Sequence, residues 1–209
     1  MSGIPSIDRK TRRRQGTVNE IVAAAWDQVR EQGLVGLSLR DLGARVGMRA
    51  QSLYSYFASK HEIYDAMFLQ GNEAFLEWTR ETSDLGPGAG DRVADLRRTA
   101  HRFFEFCVSD PVRYQLLFQR TIPDFVPSER SYAVAQAAYS LMVDQLAAVG
   151  IDQSGVDLWT AVLAGLVAQQ LSNDPGGDRW LVLVDKAVDM LLTELVPSPR
   201  KKTTTQRSK

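Results

Sequence analysis

One cysteine, Cys107, and two histidines, His61 and His101, are all that this 209-residue chain holds of the residues that staple or metallate small proteins. An internal disulfide is excluded, which suits a reducing cytoplasm, and with so few soft donors neither a metal centre nor a cofactor is expected. No stretch approaches the ~18 apolar residues that would cross a bilayer. The opening residues Met1–Gln15 lack the apolar core and small-residue cleavage site of a secretion signal, so no membrane partner is expected. No segment alternates apolar and polar residues with period two, so no sheet is expected. The glycine clusters at Gly86–Gly90 and Gly176–Gly177 neither follow strands nor carry a phosphate-loop lysine, and no nucleophile elbow or pair of helical carboxylates stands out. An enzyme is not expected.

The chain also has no net charge, with 25 basic and 25 acidic residues. That zero conceals a partition. Residues 1–60 carry ten Lys and Arg against five acids, residues 61–196 carry ten against twenty, and residues 197–209 carry five bases and no acid. The blocks stand at +5, −10 and +5. A basic N-terminal module on an acidic body is the distribution of a protein that meets phosphate at one end.

What the chain does have is helical periodicity. Val18, Ile21, Val22, Ala25, Trp26 and Val29 recur on one face and predict a helix from Thr17 to Gly33. Ser38 reads as an N-cap with Asp41 as the capping-box acid, opening a short helix over 39–46. Gly47 interrupts it, and a third short helix is expected over 50–57, with Leu53 and Phe57 inward and Arg49 a poor N-cap in front. Longer helices are expected at about 60–82, 91–109, 112–120, 128–149, 155–172 and 178–195. Breaks between them fall at Ser83–Gly90, Pro111, Pro123, Pro127, Gly150 and Asn173–Gly177. The fold class is therefore all-α, with about nine helices. Four segments are expected: a flexible basic arm at 1–16, a three-helix DNA-binding module at 17–60, a helical body at 61–196 and a disordered basic tail at 197–209.

Three short helices, the last two joined by a tight glycine turn, describe a helix-turn-helix. Arg49, Ala50, Gln51, Ser52, Ser55 and Tyr56 supply its polar side. The stretch LSLRDLGARVGMRAQSLYSYFASKHEIYDAMF, residues 37–68, resembles the N-terminal signature of the TetR family of bacterial regulators. Gly47 in the turn, Leu53-Tyr54, Tyr56-Phe57 and Ser59-Lys60 carry the resemblance, which extends from Thr17 to about Phe68. Arg49 departs from it, since the family usually places a small hydroxyl residue there.

The resemblance implies a dimeric repressor that grips double-stranded operator DNA and is released by a small-molecule effector. Arg49, Ala50 and Gln51 match the positions that reach base edges, where Arg favours guanine and Gln adenine. Ser38, Ser52, Tyr54, Tyr56 and Lys60 match positions that hold the phosphate backbone. Tyr54 also reads as a core aromatic, and the run Arg9–Arg14 as either a minor-groove arm or a solubilising tail. The alternative function is a helical interaction protein whose helix-turn-helix docks protein instead of DNA.

The body resembles one of the family's C-terminal variants through DPVRYQLLFQR (110–120) and LWTAVLAGLVAQQL (158–171), which implies an effector-binding and dimerisation domain. The segments 155–172 and 178–195 are apolar nearly all round, so a homodimer that packs both against their copies as a four-helix bundle is expected. His101, Phe104, Cys107, Tyr114 and Phe118, faced by Trp159 and Gln170, form a candidate effector pocket; an ordinary core would use the same residue types.

Overall fold

The structure is a computed structural model that describes residues 9–83 and 91–196. Among the described residues there are nine α-helices and no strand. They are α1 (Arg9–Gln32), α2 (Leu39–Arg45), α3 (Ala50–Leu53), α4 (Lys60–Ser83), α5 (Arg92–Ser109), α6 (Pro111–Phe118), α7 (Glu129–Ala147), α8 (Gln153–Asn173) and α9 (Val184–Leu195). Single 3₁₀ turns at Leu34–Gly36 and Leu181–Leu183 follow α1 and precede α9. Residues 84–90 of the expected Ser83–Gly90 loop and the expected tail at 197–209 lie outside the described residues.

Three boundaries differ from expectation. The helix α1 begins at Arg9 rather than Thr17, so residues 9–16 of the expected arm are helical. Lysine and arginine are good helix formers, and residues 9–16 hold no proline to stop a helix that is already nucleated downstream. The third helix is one turn, Ala50–Leu53, and closes through the backbone bonds Tyr56 N to Leu53 O and Phe57 N to Leu53 O, both 2.9 Å. The last helix starts at Val184, because 178–183 forms a turn and a 3₁₀ segment.

The chain divides into two compact units, Met1–Glu81 with Ser109–Tyr139, and Thr82–Val108 with Ser140–Lys209. This division differs from the boundary expected after residue 60. The reason lies in one shared core: Ile21, Ala25, Val29 and Trp26 of α1, Leu42 of α2 and Leu53 of α3 pack in the same cluster as Ile63, Tyr64, Met67 and Phe68 of α4 and Leu116 of α6. Each such side chain taken from water contributes roughly 1.5–3 kcal/mol, so the module is not separable from α4 without exposing its own floor.

The rest of the first unit fastens to α4. Phe125 sets its ring 6.2, 6.0 and 6.1 Å from those of His61, Tyr64 and Phe68. Asp65 accepts hydrogen bonds from the backbone N–H and the hydroxyl of Ser128, both 2.8 Å, and from the Ser131 hydroxyl at 3.0 Å, which ties the first turn of α7 to α4. In the second unit α5, α8 and α9 each bury an apolar stripe: Leu96, Ala100, Phe104 and Cys107; Val156, Trp159, Leu163 and Val167; and Val184, Val188 and Leu191. Asp152 caps α8 by accepting from Gly155 N at 3.1 Å and from the Ser154 hydroxyl at 2.7 Å, and these donors hold its carboxyl below the usual range. Among the described residues no helix is long and apolar enough to cross a membrane.

Candidate nucleic-acid interface

The short second helix is built as its sequence implies. The Ser38 hydroxyl accepts from Asp41 N at 3.4 Å, capping α2. Gln28, fully buried on the otherwise apolar face of α1, holds both backbone groups of Ser38 at 3.3 and 3.2 Å when its amide is oriented to satisfy them. Arg45, in the last turn of α2, pairs with Glu31 of α1; the guanidinium keeps that carboxyl below its ordinary value. α2 is thus braced against α1 at both of its ends.

The turn that follows makes two backbone demands. Gly47 has φ 66°, the left-handed region that disfavours a Cβ. At Gly43 a Cβ would stand 2.8 Å from the Met48 carbonyl and 3.2 Å from Ala50 N, so only glycine lets α2 and α3 approach this closely. Met48 N donates to Gly43 O at 2.8 Å across the same gap.

α3 then shows the two-sidedness that reading DNA requires. Leu53 and Phe57 are buried, 1% and 7% exposed, while Arg49, Gln51, Ser52 and Ser55 are exposed and Ala50 is half-buried. Arg49 has extended backbone and makes no side-chain cap, which leaves its guanidinium free of the helix it precedes. Tyr54 is 55% exposed, which places it on the surface rather than in the core. Tyr56 is half-buried against the core cluster.

Lys60 differs from a simple outward cation. Its ammonium bends back to the Val35 carbonyl at 3.4 Å and lies 5.5 Å from the Tyr64 ring centroid, in a cleft of about 160 Å³ shared with His61, Ile122 and Pro123. Partial burial there pulls its pKa below the ordinary lysine value. Ser59 opens α4 by accepting from Glu62 N at 3.2 Å, and Glu62 reaches back to Ala58 N at 2.7 Å.

The sequence places Arg14 only within the basic run Arg9–Arg14, whereas the structure gives it a specific contact in this interface. Arg14 donates from Nη2 to the Ser55 carbonyl at 2.8 Å and sets its guanidinium 4.9 Å from the Tyr56 ring centroid. The signal was present: Arg14 lies four residues before Val18 and seven before Ile21, which extends the inward stripe of α1 one turn further.

The seven candidate pocket residues are distributed over both units. In the first, Phe118 is 39% exposed and stacks edge-to-face on Phe75 at 5.3 Å, with buried Tyr114 at 5.8 Å. In the second, Phe104, Cys107 and Trp159 are buried, and His101 meets Asp185 at 3.0 Å. Gln170 is engaged within the chain: it accepts from Trp180 N at 2.9 Å and donates to the carbonyl and carboxylate of Asp174. Its buried amide therefore organises the connection between α8 and α9.

Residues 21–67 match the family model described as bacterial regulatory proteins of the tetR family. An HTH-type transcriptional regulator of Mycobacterium tuberculosis is 25% identical over 173 residues, which span 77% of this chain and 70% of that protein. The HTH-type transcriptional activator FasR of Mycolicibacterium smegmatis is 24% identical over 151 residues, 71% of this chain and 66% of its own length. The transcriptional regulator FadR of Bacillus subtilis, solved in complex with stearoyl-CoA, superposes with a TM-score of 0.66 at 15% identity, covering 84% of this chain and 97% of that one, and shares the fold. The matched segment contains α2, the glycine turn, α3 and the start of α4, which decides between the two functional readings in favour of DNA. Over residues 21–67 the chain carries the DNA-binding module of the tetR family of bacterial regulatory proteins, and it is a DNA-binding transcriptional regulator similar to members of that family.

Proposed function

We propose that this regulator is a repressor that binds a palindromic operator as a homodimer and leaves it when a small amphipathic molecule occupies the helical body. The observation that carries the DNA half is α3 itself: a single turn whose Leu53 is buried while Arg49, Gln51 and Ser52 face outward. Such a helix fits the major groove with its first residues toward the base edges. In this reading Arg49, Ala50 and Gln51 contact bases, and Ser38, Ser52, Tyr54, Tyr56 and Lys60 hold phosphates. For Lys60 this requires the ammonium to leave the Val35 carbonyl, a weak 3.4 Å contact. Residues 17–60 serve as the DNA-binding domain and 61–196 as the regulatory one, working in the cytoplasm with no catalytic step.

The dimer half rests on apolar side chains that a single chain leaves in water. Leu158 on α8 and Val182, Leu183 and Met190 on or before α9 are 43%, 65%, 37% and 64% exposed. Packing α8 and α9 against their copies would cover them in a four-helix bundle, and would carry two α3 helices about 34–36 Å apart to successive major grooves. The effector half draws on the Bacillus subtilis FadR solved with stearoyl-CoA, and on the aromatic and polar residues His101, Phe104, Cys107, Trp159 and Gln170 within the second unit. Ligand binding then acts through its unequal affinity for the DNA-bound and released forms.

The test is an electrophoretic shift on the DNA flanking the gene, repeated with Gln51→Ala and across salt. Operator preference should change in the variant, and affinity should fall steeply with salt. Binding that ignores both sequence and salt would refute the proposal.

A further inference from the structure

We propose that Arg14 is a positioning residue for DNA reading: it holds the C-terminal end of the recognition helix α3 in place from α1. This rests on α3 being the base-reading element. A one-turn helix has almost no stability of its own, since nucleation costs more than a single turn returns. α3 is four residues long, and Arg49 in front of it offers no side-chain cap. Its placement therefore depends on what grips it from outside. On the inner side Leu53 enters the core, and at the N-terminal side Gly43 lets the backbones of α2 and α3 meet. Neither reaches the Ser55 carbonyl, on the outer side of the turn that closes α3.

Arg14 does. Its Nη2 donates to the Ser55 carbonyl at 2.8 Å, in the turn that closes α3, and its guanidinium carbon lies over the Tyr56 ring, 4.9 Å from the centroid. The same turn is tightened from within by the Ser55 hydroxyl, which donates to Ser52 O at 2.7 Å. A planar fork that donates along its edge and stacks on its face meets both neighbours at once, a combination suited to arginine. The grip is rigid because Arg14 is itself helical, five residues inside the start of α1 at Arg9. Had residues 9–16 been a flexible arm, the same side chain could have served only as a diffuse positive charge.

The two roles separate experimentally. A phosphate-contacting arginine adds affinity for any duplex and steepens the salt dependence, whereas a positioning arginine adds affinity mainly where the base contacts are correct. An operator selected by this protein from a randomised duplex library, and a scrambled duplex of equal length, are the probes. Arg14→Ala should weaken operator binding roughly fivefold, the effect of about 1 kcal/mol. It should change scrambled-duplex binding by less than twofold and leave the slope of log K against log salt unaltered. Arg14→Ala combined with Gln51→Ala should cost less than the two single losses added, because a displaced helix has no Gln51 contact left to lose. Equal weakening on both duplexes with a slope shallower by about one would make Arg14 a phosphate contact and overturn the proposal; so would no change on either. Gln51→Ala that selects the same operator as the parent would instead strike the underlying assignment of α3, whatever Arg14 does. Helicity of the variants, expected to match the parent, and melting temperature, expected to fall by no more than a few degrees for a loss of about 1 kcal/mol, keep these outcomes from being confused with misfolding.

Discussion

Arg30 of α1 donates from Nε and Nη2 to one carboxylate oxygen of Asp110, at 3.1 and 2.9 Å, while the other oxygen of Asp110 accepts Arg113 N at 3.1 Å and so caps α6. One carboxylate thus joins the first helix of the DNA-reading module to the first turn of α6, within the same compact unit. The partners are unequal: the Asp110 side chain is 12% exposed and that of Arg30 is 48%. Arg30 also leans over Trp26 and meets Asp27 at 3.3 Å, so its loss is partly absorbed by solvent and its remaining neighbours.

Asp110→Ala should therefore cost more than Arg30→Ala. Removing an N-cap costs about 0.5–2 kcal/mol, and the carboxylate's second role adds to that, whereas an exposed ion pair contributes about 0.2–1 kcal/mol. Thermal melts of the two single variants and the double variant measure the difference and the coupling. The coupling should shrink in high salt while the capping loss persists. Equal destabilisation by the two single variants would mean that the cap contributes nothing.

Gly43→Ala tests the close approach in the turn. The added methyl would meet the Met48 carbonyl at 2.8 Å and Ala50 N at 3.2 Å, both backbone atoms that cannot rotate away. α2 and α3 must then separate, with a loss of about 1–3 kcal/mol typical of overpacking and a fall in operator affinity larger than that stability loss explains. Gly47→Ala, at φ 66° but with no neighbour within 4 Å of the added methyl, should cost about 1 kcal/mol and disturb DNA binding less. The ranking is checked by urea unfolding and electrophoretic shift; a harmless Gly43→Ala would contradict the packing described here.

Much of this was legible in the sequence, for identifiable reasons. The helix-turn-helix is a local object: the Ser38 cap, the Gly47 turn and the inward pair Leu53 and Phe57 are set by neighbours a few residues away, and each falls where the pattern places it. What eluded the sequence depends on distant partners. Gln28 on an apolar face finds its use only once Ser38 folds against it. Gln170 is spent on Trp180 and Asp174, and Lys60 turns toward Val35, through contacts that no periodicity announces. The run Arg9–Arg14 is compositionally that of an arm, yet its helix is continuous with α1, and Arg14 finds an acceptor 41 residues downstream.

Alkaline stability should turn on Tyr64. Its ring is 1% exposed, its hydroxyl donates to the Leu34 carbonyl, and burial pushes the phenol up to about 12 from its ordinary 10. The folded state thus favours the neutral phenol more strongly than the unfolded chain does. That contribution is complete below about pH 10 and is lost as the pH rises from 10 through 12, by roughly 2–3 kcal/mol for a shift of two units. Tyr64→Phe should be less stable than the parent at neutral pH, where the Leu34 carbonyl loses its donor, and should lose less stability between pH 10 and 12. Parallel alkaline titrations of parent and variant, followed by circular dichroism, would count against this assignment of the phenol.

The dimer makes the sharpest demand on function. Met190→Glu and Leu158→Glu each place a carboxylate where the proposed bundle would be apolar, while a single chain already leaves these side chains 64% and 43% exposed. The fold of the monomer should therefore survive with unchanged helicity, and only the association should suffer. Burying a carboxylate without a partner costs several kcal/mol, and each copy carries one, so self-association should weaken at least a hundredfold. Sedimentation at micromolar concentration should show monomer for either variant and dimer for the parent. Operator binding should fall with it, since half-sites one turn apart reward only two linked recognition helices, while binding to a single half-site should change little. A variant that sediments as a dimer with full operator affinity would place the interface elsewhere than on α8 and α9.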